Sequence, residues 1–148
     1  MSFISLKYHL VFSTRDRRPL IVPEVLPRLT KYVGGIIREL GGQMLAGNGP
    51  PDHFHIAAIL DQKRSIMEVL GTIKANSSRW IHQTFSDSRD FEWQDGYAAF
   101  TVSHSGISHV VKYVEGQQEH HKKMTFQEEL VALLRKHEIP FDERYIWR

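Results

Sequence analysis

The chain has 148 residues and no cysteine, and its 19 Lys and Arg residues against 17 Asp and Glu give a formal charge of +2. With 41% hydrophobic and 24% charged residues, it has the composition of one soluble globular domain. The absence of cysteine excludes a disulfide framework, a cysteine zinc site and a thiol nucleophile. No apolar run approaches the ~18 residues of a membrane span and no signal-peptide pattern is present, so we expect a cytoplasmic protein.

The periodicity of apolar residues predicts alternating strands and helices along the whole chain. In chain order, the sequence predicts a strand at 6–14, a helix at 24–40, strands at 43–46 and 53–60, a helix at 65–85, a strand at 97–102, and helices at 107–123 and from 125 onward.

Turn and cap residues support several of these boundaries. The glycine- and proline-rich stretch 47–51 separates the second and third strands, as expected of a tight connection. Ser65 with Glu68, and Thr125 with Glu128, have the spacing of a capping box at the start of a helix.

The order β-α-β-β-α-β followed by two helices predicts an α+β, ferredoxin-like fold with an antiparallel sheet. In that topology the first and third strands lie at the centre of the sheet. The third strand carries His53 and His55.

The segment His53-Phe54-His55 places two imidazoles on one face of a strand, because residues i and i+2 point the same way. Both rings can therefore reach one metal ion, while Phe54 points to the opposite layer. Two ordinary strand histidines, one of them partly buried, are the alternative. Asp52 directly precedes the pair and is a candidate to orient one imidazole from outside the ligand shell.

Tyr113 and Gln117 are four residues apart on a predicted helix and therefore share one of its faces. Facing a two-histidine site, this pair can supply a nucleophile and one oxygen ligand. Taken singly, the tyrosine is equally explained as a packed aromatic residue and the glutamine as a solvated one.

In their order along the chain, these residues resemble the single-tyrosine transposases of the HUH class, which move bacterial insertion sequences as single-stranded DNA. The resemblance covers nearly the whole chain. It is carried by Tyr8-His9-Leu10-Val11-Phe12-Ser13-Thr14, Arg17-Arg18-Pro19, Asp52-His53-Phe54-His55-Ile56, Trp93-Gln94, Gly96-Tyr97, Phe100, Tyr113, Gln117, His120-His121 and the tail Phe141-Asp142-Glu143-Arg144-Tyr145-Ile146-Trp147.

The resemblance implies one catalytic domain over residues 1–148, with its catalytic tyrosine on the first of the two additional helices. Tyr113 would attack a DNA phosphate and form a 5′-phosphotyrosine, while His53, His55 and Gln117 would hold Mg²⁺ or Mn²⁺. It also implies a homodimer that recognises hairpins near the ends of the element. The sequence does not identify the group that deprotonates the tyrosine.

Basic residues in loops and on one helix are candidate phosphate contacts. These DNA-binding candidates are Arg15, Arg17, Arg18, Lys63, Arg64, Lys74 and Arg79. Trp80 and Trp93 are candidates to stack on bases, but core positions are the commoner role for tryptophans in so small a domain.

The remaining histidines have more ordinary explanations in the sequence. His120 and His121 could extend the metal site, but at a helix end they more simply complement the helix dipole. His9 is expected to be structural.

Two other functions remain open at this stage. The first is a non-catalytic or domesticated ferredoxin-like nucleic-acid-binding protein, which would bind without cutting. The second is a metal phosphoesterase that uses water, which would leave hydrolysed ends and tolerate Tyr113→Phe.

Overall fold

The computed structural model describes residues 1–147 and contains one sheet with helices on both of its faces. The elements are β1 Lys7–Ser13, α1 Leu26–Glu39, β2 Gln43–Asn48, β3 His53–Ile59, α2 Ile66–Thr84, β4 Ala98–Val102, α3 Ile107–Glu115, α4 Gln117–His120 and α5 Phe126–Lys136.

The four strands pair antiparallel in the order β2-β3-β1-β4. This order is that of the ferredoxin-like fold, and the two central strands are β1 and β3, as predicted. The paired segment of β1 and β3 places Ser13 opposite His53 and Val11 opposite His55. The two histidines therefore lie at the start of β3, on a central strand of the sheet.

The main core lies between the sheet and the helices α1 and α2. Alternate residues of the central strands, among them Leu10, Phe12, Phe54 and Ile56, pack there and are almost fully buried. Each such side chain contributes roughly 1.5–3 kcal/mol by leaving water. Phe54 points into this core, so the alternation of β3 sends the histidines on either side of it to the other face.

The other face of the sheet is covered by the C-terminal helices. Phe126 and Leu134 of α5 pack on Val11 and Phe100, which belong to β1 and β4. The histidines of β3 are therefore enclosed between the sheet and these helices.

Helix α3 covers the neighbouring part of the same face. Its buried Val114 packs on Ala46 and Ala57 of β2 and β3. Because alanine side chains are short, the helix approaches the sheet closely at this point. This contact sets the height of α3 above β3.

The prediction of one continuous helix over 107–123 is wrong, because the structure divides it at Gly116. The ψ angle of Gly116 is 15°, outside the helical range, and glycine is a poor helix former. A reciprocal pair of side-chain amide hydrogen bonds between Asn48 and Gln118, of 2.6 and 2.7 Å, attaches α4 to the end of β2.

Both predicted helix caps are present. The hydroxyl of Ser65 accepts a hydrogen bond from the backbone N–H of Glu68, and Thr125 forms the full capping box with Glu128. Among the helices of residues 1–147, none is both long and apolar enough to cross a membrane.

Candidate active site

The side chains of His53 and His55 point from one face of β3 into the space below the C-terminal helices, and both are fully buried. Their ring centroids are 5.0 Å apart. The structure therefore brings the predicted pair together in the interior of the protein, where an unpaired polar group is costly.

A carboxylate from α5 completes this pair. Atom Oε1 of Glu129 lies 3.0 Å from Nε2 of His53, 2.9 Å from Nε2 of His55 and 3.0 Å from Nε2 of His121. Glu129 is only 1% exposed. Three imidazoles thus converge on one buried carboxylate oxygen, and this group has the composition and spacing of a metal site.

Each of the three imidazoles is also held at its other ring nitrogen. Nδ1 of His53 donates to Oδ1 of Asp52 at 2.7 Å, and Nδ1 of His121 donates to the backbone oxygen of Met124 at 2.7 Å. Nδ1 of His55 shares a 2.8 Å hydrogen bond with Nε2 of His9. These contacts turn all three Nε2 atoms towards Glu129.

The contact between His9 and His55 follows from the strand register. His9 pairs with Ala57, two residues beyond His55, so the two histidines are diagonal neighbours on one face of the sheet. His9 therefore supports His55, in agreement with the structural role expected for it.

Tyr113 reaches the same carboxylate from α3. Its hydroxyl donates to Oε2 of Glu129 and lies 3.2 Å from Nε2 of His120. The nitrogen Nε2 of Gln117 lies 3.3 Å from the same Oε2. One oxygen of Glu129 thus faces the histidine cluster, and the other faces the predicted nucleophile and Gln117.

The side-chain oxygen of Gln117 is a distinctive feature of the site. The residue is fully buried, and among the described residues its Oε1 has no hydrogen-bond partner. Since almost all buried polar atoms are paired, an unpaired oxygen next to a histidine cluster has the lone pairs that a ligand to a cation needs.

Burial and charge shift the pKa values of the group in different directions. Burial lowers the pKa of His9 to about 3 and that of His55 to about 4. Burial also opposes ionisation of His53, but hydrogen bonds to Asp52 and Glu129 outweigh it and raise its pKa. These shifts leave His9 and His55 neutral at pH 7.

The two groups that share the tyrosine proton are shifted as well. Burial raises the pKa of the Tyr113 phenol, and the hydrogen bond to Glu129 raises it further. Burial alone would raise the pKa of Glu129, but its hydrogen bonds with His121, His53 and His55 lower it strongly. The phenol is therefore protonated and the carboxylate ionised in this arrangement.

The structure brings together every catalytic and metal residue that the sequence predicted, Tyr113, His53, His55 and Gln117. His121 belongs to the cluster, which was the less simple of the two explanations that the sequence offered for it. Glu129 was not anticipated. A signal for Glu129 exists, since it lies three residues after Phe126 and four before Leu133, within the apolar stripe of α5. A carboxylate on such a face needs a buried partner.

The predicted DNA-binding residues are spread over the surface, and several already contact other groups. Arg18 pairs with Asp90 at 3.0 Å, and Arg64 pairs with Glu68 at 2.9 Å. Lys74 donates to the backbone oxygens of Gln94 and Gly96, and its partial burial lowers its pKa. A contact with DNA stays a prediction for Arg15, Arg17, Arg18, Lys63, Arg64, Lys74 and Arg79.

Of the two tryptophans considered for base stacking, Trp93 is buried in the core and Trp80 is partly buried at its edge. Trp93 is 6% exposed and donates from Nε1 to the hydroxyl of Ser77 at 2.9 Å. Trp80 stacks on Tyr32 with 4.4 Å between the ring centroids. Both packing arrangements agree with the core role expected from the sequence.

Comparison with known proteins assigns the chain to a family. The family model described as "Transposase IS200 like" matches residues 2–117, which include the histidine pair, Tyr113 and Gln117. The chain belongs to the IS200-like transposase family. This membership confirms the resemblance found in the sequence.

Individual relatives agree with this assignment. The chain is 29% identical over 126 residues to the transposase for insertion sequence element IS200 of Salmonella typhimurium, which covers 78% of this chain and 79% of that protein. It is 24% identical over 119 residues to the ISDra2 transposase TnpA of Deinococcus radiodurans, which covers 77% of this chain and 85% of that protein.

Solved structures show the same fold. A crystal structure from Deinococcus radiodurans R1 described as a transposase aligns with a TM-score of 0.63 and 24% identity, over 78% of this chain and 93% of that one. A REP-associated tyrosine transposase bound to a REP hairpin aligns with a TM-score of 0.56 and 16% identity, over 78% of this chain and 68% of that one. The ferredoxin-like architecture of this transposase is therefore shared with proteins of the same kind.

Proposed function

We propose that this transposase cleaves and rejoins single-stranded DNA at the ends of an insertion sequence, with Tyr113 as the nucleophile and a divalent metal ion assisting. The observation that supports this function most directly is the contact between the Tyr113 hydroxyl and the Glu129 carboxylate, whose other oxygen faces His53 and His55. A nucleophile and a candidate metal site thus lie side by side in one buried group.

The proposed reaction has two transfers that conserve the phosphodiester. In the first, a bond forms between Oη of Tyr113 and phosphorus while the bond from phosphorus to the 3′ oxygen breaks, which leaves a 5′-phosphotyrosine and a 3′-hydroxyl that has taken up a proton. In the second, a 3′-hydroxyl attacks the adduct and the phenol leaves with its proton restored. Covalent storage of the phosphate separates cleavage from rejoining.

The phenol of Tyr113 needs a proton acceptor, since even an unperturbed tyrosine is only about 0.1% ionised at pH 7. Its hydroxyl donates to Oε2 of Glu129, but the lowered pKa of this carboxylate makes it a weak base, so Glu129 orients the phenol before substrate binds. His120 lies 3.2 Å from the same hydroxyl and helps to fix its position.

The predicted ligands suit a divalent ion. His53 and His55 supply imidazole nitrogens on one face of β3, and Gln117 supplies a buried oxygen with no hydrogen-bond partner among the described residues. We propose that these three residues contribute to holding Mg²⁺ or Mn²⁺. When bound, such an ion polarises the scissile phosphate and neutralises the charge that develops on it.

Two surface clefts reach the edge of this buried group. One is lined by Tyr113 together with His109 and Lys136. The other is lined by Asp52 and His121 together with Arg17, one of the predicted phosphate contacts. We propose that the strand approaches the site along these clefts, with basic side chains near its phosphates.

The proposed substrate is a strand with hairpins near its ends, and the proposed active form is a homodimer. Support for the hairpin comes from the structural relative that binds one. Support for self-association comes from Phe3 and Ile4, which are 88% and 56% exposed in the segment before β1. Light scattering on the purified protein tests the second point, since a dimer has twice the mass of one chain.

The function is tested by mixing the protein with labelled single strands from the DNA that flanks its gene, with MnCl₂, MgCl₂ or EDTA. We expect a covalent protein–DNA adduct on a denaturing gel with either metal, and none with EDTA. Tyr113→Phe should bind the strand and form no adduct. The exposed Tyr97 provides the matched control, since Tyr97→Phe should react like wild type.

Other results would identify the alternatives. Hydrolysed ends without an adduct, together with unchanged cleavage by Tyr113→Phe, would indicate a phosphoesterase that uses water. Binding to every strand tested, with no cleavage under any metal condition, would indicate a nucleic-acid-binding protein without catalysis.

A further inference from the structure

We propose that Glu129 and His121 complete the metal site, so that a carboxylate and a third imidazole join His53 and His55 and the site prefers Mn²⁺ to Mg²⁺. This inference rests on the metal assistance of the proposed function and deepens it. Both added residues lie beyond residues 2–117, which match the family model. The C-terminal segment of this chain would thus contribute to its metal chemistry.

The donor atoms are spaced like the ligands of one metal ion. Oε1 of Glu129 is 2.9–3.0 Å from the three Nε2 atoms, and Nε2 of His53 is 3.1 Å from Nε2 of His121. Adjacent ligands at ~2.0–2.1 Å from an octahedral ion stand ~2.9 Å apart. The cluster therefore has close to the size of a metal shell and leaves positions for further oxygen ligands.

The protons on the imidazoles leave their Nε2 atoms available to an ion. The Nδ1 atoms of His53 and His121 both donate to oxygen acceptors, so in the neutral rings both Nε2 atoms carry lone pairs. Without an ion, a proton on one of these Nε2 atoms bonds to Oε1 of Glu129. A metal ion that displaces this proton accepts the lone pairs of both rings and of the carboxylate at once.

The imidazoles of His53 and His121 are each fixed by a hydrogen bond at Nδ1. Histidines that bind metals usually donate their other ring N–H to a carboxylate or a carbonyl, which fixes the ring. Asp52 plays that part for His53 and the backbone of Met124 plays it for His121. Because the Nδ1 atoms of His53 and His121 are fixed by the same kind of hydrogen bond, the two residues are equivalent candidate ligands.

The donor set determines the preferred ion. Imidazole suits transition ions, whereas Mg²⁺ favours a shell of oxygen ligands and water. Three imidazoles and one carboxylate therefore favour Mn²⁺ over Mg²⁺. Through its second oxygen, Glu129 also accepts the hydroxyl of Tyr113, so the same carboxylate acts as a positioning residue for the nucleophile.

The test measures ion binding to the full chain without DNA, by calorimetry with MnCl₂ and with MgCl₂. We expect wild type to bind one Mn²⁺ per chain at least ~10-fold more tightly than Mg²⁺. Glu129→Gln and His121→Asn should each weaken Mn²⁺ binding by at least ~10-fold. The exposed residues Glu119 and His104 provide matched controls, and Glu119→Gln and His104→Asn should bind Mn²⁺ like wild type.

A second measurement keeps the proposal testable if Glu129→Gln fails to fold. With CoCl₂, wild type should show the visible absorption of cobalt bound to nitrogen and oxygen ligands, and the absorption of His121→Asn should change in wavelength and intensity. The proposal is overturned if wild type binds no ion, if it binds Mg²⁺ as tightly as Mn²⁺, or if the folded variants match wild type.

Adduct formation, assayed in parallel, separates this proposal from the function on which it rests. Normal adducts with an unchanged metal requirement in both variants would remove Glu129 and His121 from the ion site while leaving Tyr113 as the nucleophile. Wild type that binds Mn²⁺ through these residues but forms no adduct would keep the ion site and contradict the proposed reaction.

Discussion

The hydroxyl of Tyr113 donates a hydrogen bond to Oε2 of Glu129, which joins α3 to α5 within one chain. Because Oε1 of the same carboxylate lies among the Nε2 atoms of three histidines, the nucleophile and the candidate ion site are linked through one side chain. Changes at Glu129 should therefore alter both ion binding and tyrosine reactivity. Residues that contact only the histidine cluster, or only the tyrosine, separate the two effects.

Asp52 is such a residue, since it contacts the site only through Nδ1 of His53. Asp52→Ala removes the acceptor that fixes this ring and should lower the affinity for Mn²⁺ by about 10–100-fold. Asp52→Asn keeps an oxygen at the same position, so its affinity for Mn²⁺ should fall less than that of Asp52→Ala. Calorimetry measures both effects, and Asp87→Ala, at an exposed aspartate outside the site, is the control. Full affinity in Asp52→Ala would show that His53 needs no such support.

The variant Gln117→Leu tests whether the side-chain oxygen of Gln117 is a metal ligand, as the family resemblance implies. Gln117→Leu keeps a similar volume but removes the unpaired Oε1 and the contact of Nε2 with Glu129. We expect weaker Mn²⁺ binding, with a smaller loss than in Glu129→Gln, because a neutral amide oxygen attracts a cation less strongly than a carboxylate does. The exposed Gln83 supplies the control Gln83→Leu. An unchanged affinity in Gln117→Leu would exclude the amide from the ligand set.

Most of the fold could be predicted from the sequence because it depends on local patterns. The alternation in β1 and the turn before β3 predicted individual strands, and the element order β-α-β-β-α-β predicted which strands are central. The step of two residues placed His53 and His55 on one face. The break at Gly116 was harder to predict, since glycine within a helix is often tolerated. Whether the helix continued depended on the contact of α4 with the end of β2, which is a tertiary interaction.

The part of the site that could not be predicted is the part that comes from α5. Glu129 has no fixed spacing to the histidine pair, because the loop before α5 and the packing of Phe126 decide where the helix lies. His121, which follows α4, was considered from the sequence as an extension of the metal site, with a helix-dipole role as the simpler alternative. The available signal was a carboxylate within the apolar stripe of α5. It indicates that Glu129 has a buried partner, but it does not indicate which residue that partner is. Sequence patterns predict which face a residue occupies more readily than which distant residue it meets.

Arg17 tests the proposed path of the DNA strand. It lines the cleft that also contains Asp52 and His121, so Arg17→Ala should weaken binding of a hairpin-flanked single strand and reduce the slope of log K against log salt by about 1. Arg17→Lys keeps the charge and should retain the slope. Arg38→Ala, at an exposed arginine of α1 that is not among the predicted DNA contacts, is the comparison, and equal effects of Arg17→Ala and Arg38→Ala would contradict a path along this cleft.

Thr125 connects the stability of α5 to the ion site. Its hydroxyl caps the helix by accepting from the backbone N–H of Glu128 at 3.2 Å, directly before Glu129. Thr125→Ala should lower the free energy of unfolding by about 1 kcal/mol, as measured by urea denaturation without metal. Fraying of the first turn should also displace Glu129 and weaken Mn²⁺ binding by a few-fold.

The conservative variant separates capping from any other role of Thr125. Thr125→Ser keeps the hydroxyl, so it should retain both the stability and the Mn²⁺ affinity of wild type. Added Mn²⁺ binds only the folded chain, so it should raise the stability of Thr125→Ala by less than that of wild type. An equal gain in both proteins would show that the first turn of α5 holds Glu129 in place without its cap.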